Sequence, residues 1–250
     1  MHLKHLCNSG SAFLLLSYFA LILFTPASEE RDLISPGPRL DIRGWTVHVD
    51  KPLNDSPKLR DEVLRLLNQK LWEVEEWLPS AAVQRLKKVN LWMRLNEPSA
   101  PGGVYHPSRT WLLENERPPE MAGGIEFGNA KNFLSWARQQ PSMVLHELAH
   151  AWHHQVLGYE YAPAKTAYQR ARESGNYADV LYVMGGKKSA YALNNVQEFF
   201  AELSEAYWGT NDFFPFVRAE LLVHDAESAL MIQNAWTLSA GSRAPSKPGS

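Results

Sequence analysis

The residues with the clearest capacity for chemistry are His146, Glu147 and His150, which stand in the pattern His-Glu-Leu-Ala-His. Two histidines four positions apart share one face of an α-helix, so their imidazoles can bind a single metal ion. The glutamate after the first histidine can take a proton from a water bound to that ion. The pattern therefore predicts a zinc site with His146 and His150 as ligands and Glu147 as the general base.

A catalytic zinc ion needs a third protein ligand and one open position. Glu198 and Glu202 are four positions apart in the segment NNVQEFFAE, so a helix places both on one face. Carboxylates beside apolar neighbours need partners, which a metal ion and its histidine would supply. We predict Glu198 as the third ligand and Glu202 as the carboxylate that orients a metal-binding histidine. The alternatives are a helix-capping role for Glu198, three residues after Asn195, and a solvated surface charge at Glu202.

Tyr191 precedes Glu198 by seven residues and follows the run GGKK at 185–188. A tyrosine hydroxyl near a metal ion can stabilise the oxyanion that develops during acyl transfer. A tyrosine that only packs against its neighbours fits the same position. The residue types alone leave both roles open.

The histidine motif lies in a segment with the properties of a buried helix, which Pro141 can begin and Gly158 can end. The apolar residues of this segment argue against two surface histidines beside a helical glutamate. They are Met143, Val144, Leu145, Leu148, Ala149 and Trp152. The extended metzincin pattern would need glycine at 153 and histidine at 156, and the chain has His153 and Val156, which excludes that class. We expect His153 and His154 to be partly exposed or to line the cleft.

The remaining patterns predict strands in the first half of the chain and helices in the second. Strands are predicted at 45–49, 89–95, 109–113 and 125–127, and helices at 57–78, 132–140, 163–173, 177–184, 195–208, 215–223 and 225–236. The segment 96–124 is rich in proline and glycine and predicts a surface loop, with a lid over the cleft as the alternative. This order predicts an α+β fold with a small N-terminal sheet and a helical C-terminal lobe around a cleft.

The two ends of the chain differ from the middle. Lys4, an apolar run over 12–24 and a small-residue segment have the layout of a secretory signal peptide, with an uncleaved membrane anchor as the alternative. We predict a signal peptide at 1–28, a linker at 29–40, the folded domain at 41–238 and a disordered tail at 239–250. The expected location is secreted or periplasmic, without stable membrane insertion after cleavage.

The composition limits the partners and the metal ligands. With 45% hydrophobic residues, 21% charged residues and a formal net charge of -2, the chain has the composition of a globular protein. It has no clustered positive charge, so we expect no nucleic-acid partner. The single cysteine, Cys7, lies in the predicted signal peptide, so any metal must be held by His, Asp or Glu.

The segments HELAH at 146–150 and AYALNNVQEFFAE at 190–202 resemble the zincin catalytic domain of anthrax lethal factor and its relatives, within the gluzincins. The stretches YHPSRTWLLEN, GGIEFGNAKNFLSW and NDFFPFVRAEL are similar to a family of predicted secreted metallopeptidases, and this resemblance covers roughly residues 40–236. The motif match implies that His146, His150 and Glu198 bind zinc, that Glu147 is the base, and that Tyr191 lies over the metal. Glu202 matches the second glutamate of the EFFAE segment.

The resemblance also implies a zincin fold, with a small twisted sheet, an active-site helix beneath it and a helical lower lobe. It further implies that the segment 125–127 is the edge strand, which would pair with an extended substrate by β-augmentation.

These expectations combine into a zinc-dependent metallopeptidase that binds one zinc ion and hydrolyses a peptide or protein substrate. One alternative is a zincin-shaped protein that binds metal or a partner without catalysis, although the intact Glu147 argues against it. Another is a metal-dependent amidase acting on a non-peptide or cell-wall amide. No sequence feature separates that activity from proteolysis.

Overall fold

A computed structural model describes residues 37–238. Five strands form one mixed sheet in the order β1-β2-β3-β5-β4. They are β1 (Arg39–Ile42), β2 (Trp45–Val49), β3 (Leu91–Met93), β4 (Gly103–Tyr105) and β5 (Ile125–Phe127). The three central strands β2, β3 and β5 are parallel to one another, whereas β1 and β4 are antiparallel to their neighbours and form the two edges.

Helices surround this sheet and make up most of the chain after it. They are α1 (Lys51–Asn54), α2 (Pro57–Trp77), α3 (Ser80–Leu86), α4 (Arg109–Glu114), α5 (Ala130–Trp136), α6 (Met143–Trp152), α7 (Ala162–Ser174), α8 (Val196–Trp208), α9 (Arg218–His224) and α10 (Ala226–Thr237). Shorter helical turns occur at Pro119–Met121, His153–Leu157 and Tyr191–Leu193, and a small hairpin pairs β6 (Val180–Leu181) with β7 (Lys187–Lys188). The small mixed sheet with its helices agrees with the predicted α+β class.

The position of α6 between the sheet and the C-terminal helices follows from its sequence. Eight of its ten residues are buried, because apolar side chains occupy nearly every face of the helix. It packs against β4 and β5 on one side and against α8 on the other. At its end, Trp152 stacks on Trp236 of α10, with ring centroids 5.1 Å apart. Burial of each aliphatic side chain of α6, such as Leu145 and Leu148, contributes about 1.5–3 kcal/mol and holds the helix in place.

Two predicted elements are wrong in type. The predicted strand at 109–113 is the helix α4, which begins where the hydroxyl of Ser108 accepts a hydrogen bond from the backbone N–H of Trp111. The predicted helix at 177–184 instead contributes β6 to the hairpin. The turn between β6 and β7 contains Gly185 and Gly186, both with positive φ, which a glycine adopts without steric cost.

The predicted edge strand is also misplaced. The segment 125–127 forms β5, which is paired on both sides, and all three of its residues are buried. The edge beside the cleft is β4, which lies in the segment predicted as a loop. Any extended chain that adds to this side of the sheet would therefore pair with β4.

The ends of the described region refine the predicted boundaries. β1 begins at Arg39, inside the predicted linker at 29–40. The predicted signal peptide at 1–28 and the predicted tail at 239–250 lie outside residues 37–238. Within that range, no helix has both the length and the apolar character needed to cross a membrane.

Candidate metal centre

The structure brings the three predicted ligands together between α6 and α8. Nε2 of His146 lies 3.1 Å from Oε2 of Glu198 and 3.1 Å from Nε2 of His150. The remaining pair, Nε2 of His150 and Oε2 of Glu198, is 3.3 Å apart. One atom from each of three side chains therefore forms a nearly equilateral triangle.

The size of this triangle suits a small divalent ion. A tetrahedral zinc ion about 2.0–2.1 Å from each ligand atom holds those atoms about 3.3 Å apart. The donor set of two imidazoles and one carboxylate is also one that catalytic zinc sites use. The residues present therefore fit a zinc ion in both spacing and chemistry.

The start of α8 explains how Glu198 reaches the histidines. Oδ1 of Asn195 accepts a hydrogen bond from the backbone N–H of Glu198 at 2.8 Å and so caps the helix. The cap uses the backbone of Glu198 and leaves its carboxylate free to face α6. Burial of Phe199 and Phe200 fixes the rotation of α8 about its axis. Glu198 therefore takes part in the helix cap through its backbone and contacts the histidines through its side chain.

The carboxylate that orients His146 is Glu205, not the predicted Glu202. Nδ1 of His146 lies 2.6 Å from Oε1 of Glu205 and 3.9 Å from Oε1 of Glu202. Glu205 can hold the proton on Nδ1, so that Nε2, once it gives up its own proton, can bind a metal ion. Glu205 follows Glu198 by two helical turns and so shares its face of α8. Although His146, Glu202 and Glu205 also lie close enough to hold an ion, that group would use the same imidazole.

The charges of the centre shift several pKa values. Burial by itself lowers the pKa of His146, but its hydrogen bonds with Glu198 and Glu205 outweigh burial and raise the pKa well above the usual value. Burial likewise acts to raise the pKa of Glu198, whereas the hydrogen bonds with His146 and His150 lower it to about 2. Burial and the neighbouring Glu205 raise the pKa of Glu202. The cluster thus attracts protons, or another cation, into its centre.

Glu147 is held against the edge of the sheet. Its Oε2 accepts a hydrogen bond from the backbone N–H of Tyr105 in β4 at 2.8 Å, and the residue is buried. A Cβ at Gly103 would lie 2.8 Å from Oε1 of Glu147, so only glycine allows this close approach without a shift. The predicted base is therefore positioned by the backbone of β4, a contact that no side-chain pattern indicates.

Tyr191 lies in the helical turn just before α8 and lines the same cavity as Glu147. Its ring centroid is 6.5 Å from that of His146, and 44% of the residue is exposed. Burial of the phenol and the charge of Glu198 raise its pKa, so the hydroxyl keeps its proton and can donate a hydrogen bond. The tyrosine is thus placed near the centre and not in the hydrophobic core.

The two histidines after the motif have different environments. His153 is fully buried against Tyr159 and Phe200, contrary to the expected partial exposure. His154 is partly buried, and its Nδ1 lies 2.7 Å from the hydroxyl of Tyr105. This second contact fastens β4 to the end of the helix that carries the metal motif.

Comparison with protein-family models, with curated proteins and with solved structures finds no match to this chain. The residues of the centre themselves indicate what chemistry it can perform. Two imidazoles and a carboxylate converge on one point, and a further carboxylate lies beside them. A cavity of about 340 Å³ borders His146, Glu147 and Tyr191.

Proposed function

We propose that this protein is a zinc-dependent peptidase with a zincin-type fold and that it hydrolyses peptide bonds. The observation that carries the proposal is the triangle formed by His146, His150 and Glu198, with Glu147 beside it at the wall of a cavity. A structural metal site has no need of that additional carboxylate. Catalytic sites with three protein ligands do use one.

Each residue of the site has its own role in the proposed hydrolysis. A zinc ion held by the three ligands would polarise a carbonyl oxygen and lower the pKa of a bound water. Glu147 takes the proton of the attacking water and returns it to the leaving amine. Its Oε2 remains fixed by the N–H of Tyr105, so Oε1 is the oxygen available for proton transfer. The protonated hydroxyl of Tyr191 donates to the developing oxyanion.

The open edge of β4 supports a polypeptide as the substrate. An edge strand offers unpaired backbone N–H and C=O groups to an extended chain. Because the N–H of Tyr105 binds Glu147, a chain paired along β4 would run past the proposed base. We infer a secreted or periplasmic site of action only from the predicted signal peptide.

The direct test is the substitution Glu147→Gln, which removes the proton acceptor and keeps the shape of the side chain. We expect the variant to bind one zinc ion per chain and to lose about 100-fold or more of its peptidase activity. Metal analysis and cleavage of a diverse peptide pool, with and without a chelator, measure the two properties. Glu76→Gln, at an exposed position of α2, is the matched control and should change neither.

Two results would contradict the proposal. Retained turnover in Glu147→Gln would remove the assignment of the base. A wild-type protein that binds zinc and cleaves no peptide of the pool would favour the non-catalytic or non-peptide alternatives.

A further inference from the structure

The cavity beside Glu147 has an acidic wall that the proposed hydrolysis does not use. Glu202 of α8 and Asp212, in the loop that follows it, both line the cavity. They are only 3% and 5% exposed. Glu205 also borders the cavity, but its Oε1 is already bound to His146. Two buried carboxylates therefore face the cavity without a role in holding the metal ligands.

The carboxylate of Glu202 is incompletely satisfied. Its Oε2 is buried and has no hydrogen-bond partner among residues 37–238. A buried carboxylate oxygen without a donor costs free energy, so such groups in proteins are usually paired. Glu202 itself lines the cavity, so a donor on a ligand bound there is the natural partner for its carboxylate.

The mouth of the cavity already accommodates a cation. Nζ of Lys188 lies 3.4 Å from the ring centroid of Tyr182 and 4.8 Å from that of Phe213. Both rings and the lysine border the same cavity as Asp212. Aromatic faces attract ammonium and guanidinium groups. The chain's own lysine thus shows that this mouth is suited to a positive charge.

We propose that this cavity binds the cationic side chain of a lysine or arginine residue next to the scissile bond of the substrate. The proposal rests on the proposed peptidase function. The aliphatic part of the side chain lies against Tyr182 and Phe213, and the charged end donates hydrogen bonds to Glu202 and Asp212. The volume of about 340 Å³ is in the range of known ligand sites.

Lys188 weakens the binding of a cationic side chain in this cavity. Its ammonium group occupies the aromatic mouth and repels an incoming cation, so a substrate must displace or neutralise it. Removal of Lys188 should therefore strengthen the binding of cationic peptides. Neutralisation of Asp212 should weaken it. The two substitutions should therefore change the affinity for cationic peptides in opposite directions.

The experiment measures binding, so that it does not depend on turnover. The zinc-loaded Glu147→Gln protein is titrated with fluorescent hexapeptide mixtures that differ at one fixed position: lysine, arginine, norleucine or glutamate. We expect lysine and arginine to bind about tenfold or more tightly than norleucine at one position of the peptide. Asp212→Asn should reduce that ratio toward one, and Lys188→Ala should increase it.

Asp179→Asn is the matched control, because its carboxylate is 71% exposed and lies outside the cavity. It should leave the ratio unchanged. Equal binding of lysine and norleucine at every position would overturn the proposal, as would an Asp212→Asn protein that keeps the preference. If Asp212→Asn does not fold, the Lys188→Ala result alone decides, and no gain for cationic peptides would overturn it.

The two proposals fail in different ways. If the native protein cleaves peptides without any preference for a cationic residue, the peptidase proposal stands and the cavity proposal is lost. If the native protein binds cationic peptides through Asp212 and cleaves none, the cavity is a binding site and the peptidase proposal is lost.

Discussion

Two buried ionic clusters in this molecule differ in how their charges are balanced. The sheet cluster surrounds Glu126 of β5, which is fully buried. Arg94 and Arg117 both form ion pairs with its carboxylate, and Nε2 of His106 lies 3.0 Å from Oε2. Burial acts to raise the pKa of Glu126, but His106 and the two arginines outweigh it and lower the pKa. Each carboxylate oxygen of Glu126 accepts a hydrogen bond from an arginine of the chain itself.

The helix cluster, between α6 and α8, has the opposite balance. It comprises His146, His150, Glu198, Glu202 and Glu205. Among residues 37–238, no lysine or arginine forms an ion pair with any of these three glutamates, whose ion-pair partners are the two imidazoles. The ring nitrogens and the carboxylate of Glu198 point toward one another. Acceptor atoms that face each other in this way need a proton or a metal ion between them.

On the proposed function, this difference is the one expected between a structural cluster and a metal-binding one. In the sheet cluster, charges of the chain neutralise one another and fasten the segment around Arg117 to β5. In the helix cluster, carboxylates outnumber the imidazoles that pair with them, which is the balance that a bound cation would complete on the proposed function. Buried acceptors without donors are therefore a better guide to a candidate metal site than buried charge itself.

The largest expected effect follows from Glu198→Gln. The amide is a much poorer zinc ligand than the carboxylate, so we expect the zinc affinity to fall by more than about a hundredfold. Competition with a chromophoric chelator measures the affinity. Zinc should also raise the unfolding temperature of the native protein far more than that of the variant, because an ion that binds only the folded state stabilises it.

The control for this result comes from the other cluster. Glu126→Gln makes the same chemical change in the sheet cluster and should leave the zinc affinity within about twofold of the native value. A large loss of zinc binding in Glu126→Gln, or none in Glu198→Gln, would remove the distinction between the two clusters.

The second expected effect concerns stability. Glu126→Gln takes the most buried carboxylate away from Arg94 and Arg117. Both guanidinium groups keep Glu97 as a partner, so we expect a loss near the lower end of the about 3–5 kcal/mol that breaking a buried ion pair costs. Urea denaturation of the zinc-free proteins should show this loss as a lower midpoint with an unchanged slope. Glu198→Gln, measured in the same way without zinc, should be less destabilised, because the imidazoles beside it can release a proton when the carboxylate is lost, whereas a guanidinium group cannot.

Much of the centre could be predicted from the sequence, because the relevant spacings are local. The four-residue spacing of His146 and His150 and the same spacing in α8 depend only on helix geometry. Burial of α6 followed from its apolar composition. The choice between Glu202 and Glu205 did not, because both can face α6 and the distance between the two helices decides which one reaches His146. That distance is a property of tertiary packing.

The edge of the sheet could not be predicted for a related reason. β4 is three residues long, Gly-Val-Tyr, within a segment rich in proline and glycine, so no alternation marks it. Its partner β5 lies about twenty residues later in the chain, and pairing at that separation leaves no local signal. The contact between the N–H of Tyr105 and Glu147 was inaccessible for the same reason, since it involves the backbone.

The smallest expected effect is the pH dependence of stability caused by His153, which is fully buried. Neither ring nitrogen has a hydrogen-bond partner within residues 37–238. Burial, and to a lesser degree the charges of His150 and His154, lower its pKa from 6.5 to about 4. The imidazole is therefore neutral in the folded protein at pH 5 and protonated in the unfolded chain.

Because the unfolded chain binds the additional proton, stability should decrease as the pH falls from the unfolded pKa of 6.5 toward about 4. This single group accounts for a loss of about 2 kcal/mol between pH 7 and pH 5. His153→Leu removes the titration, so its unfolding free energy should decline less over this interval. Urea denaturation of the zinc-free proteins at both pH values measures the difference. An equally steep decline in the variant would contradict this prediction. It would mean that the buried imidazole of His153 keeps its proton in the folded protein and has a hydrogen-bond partner there.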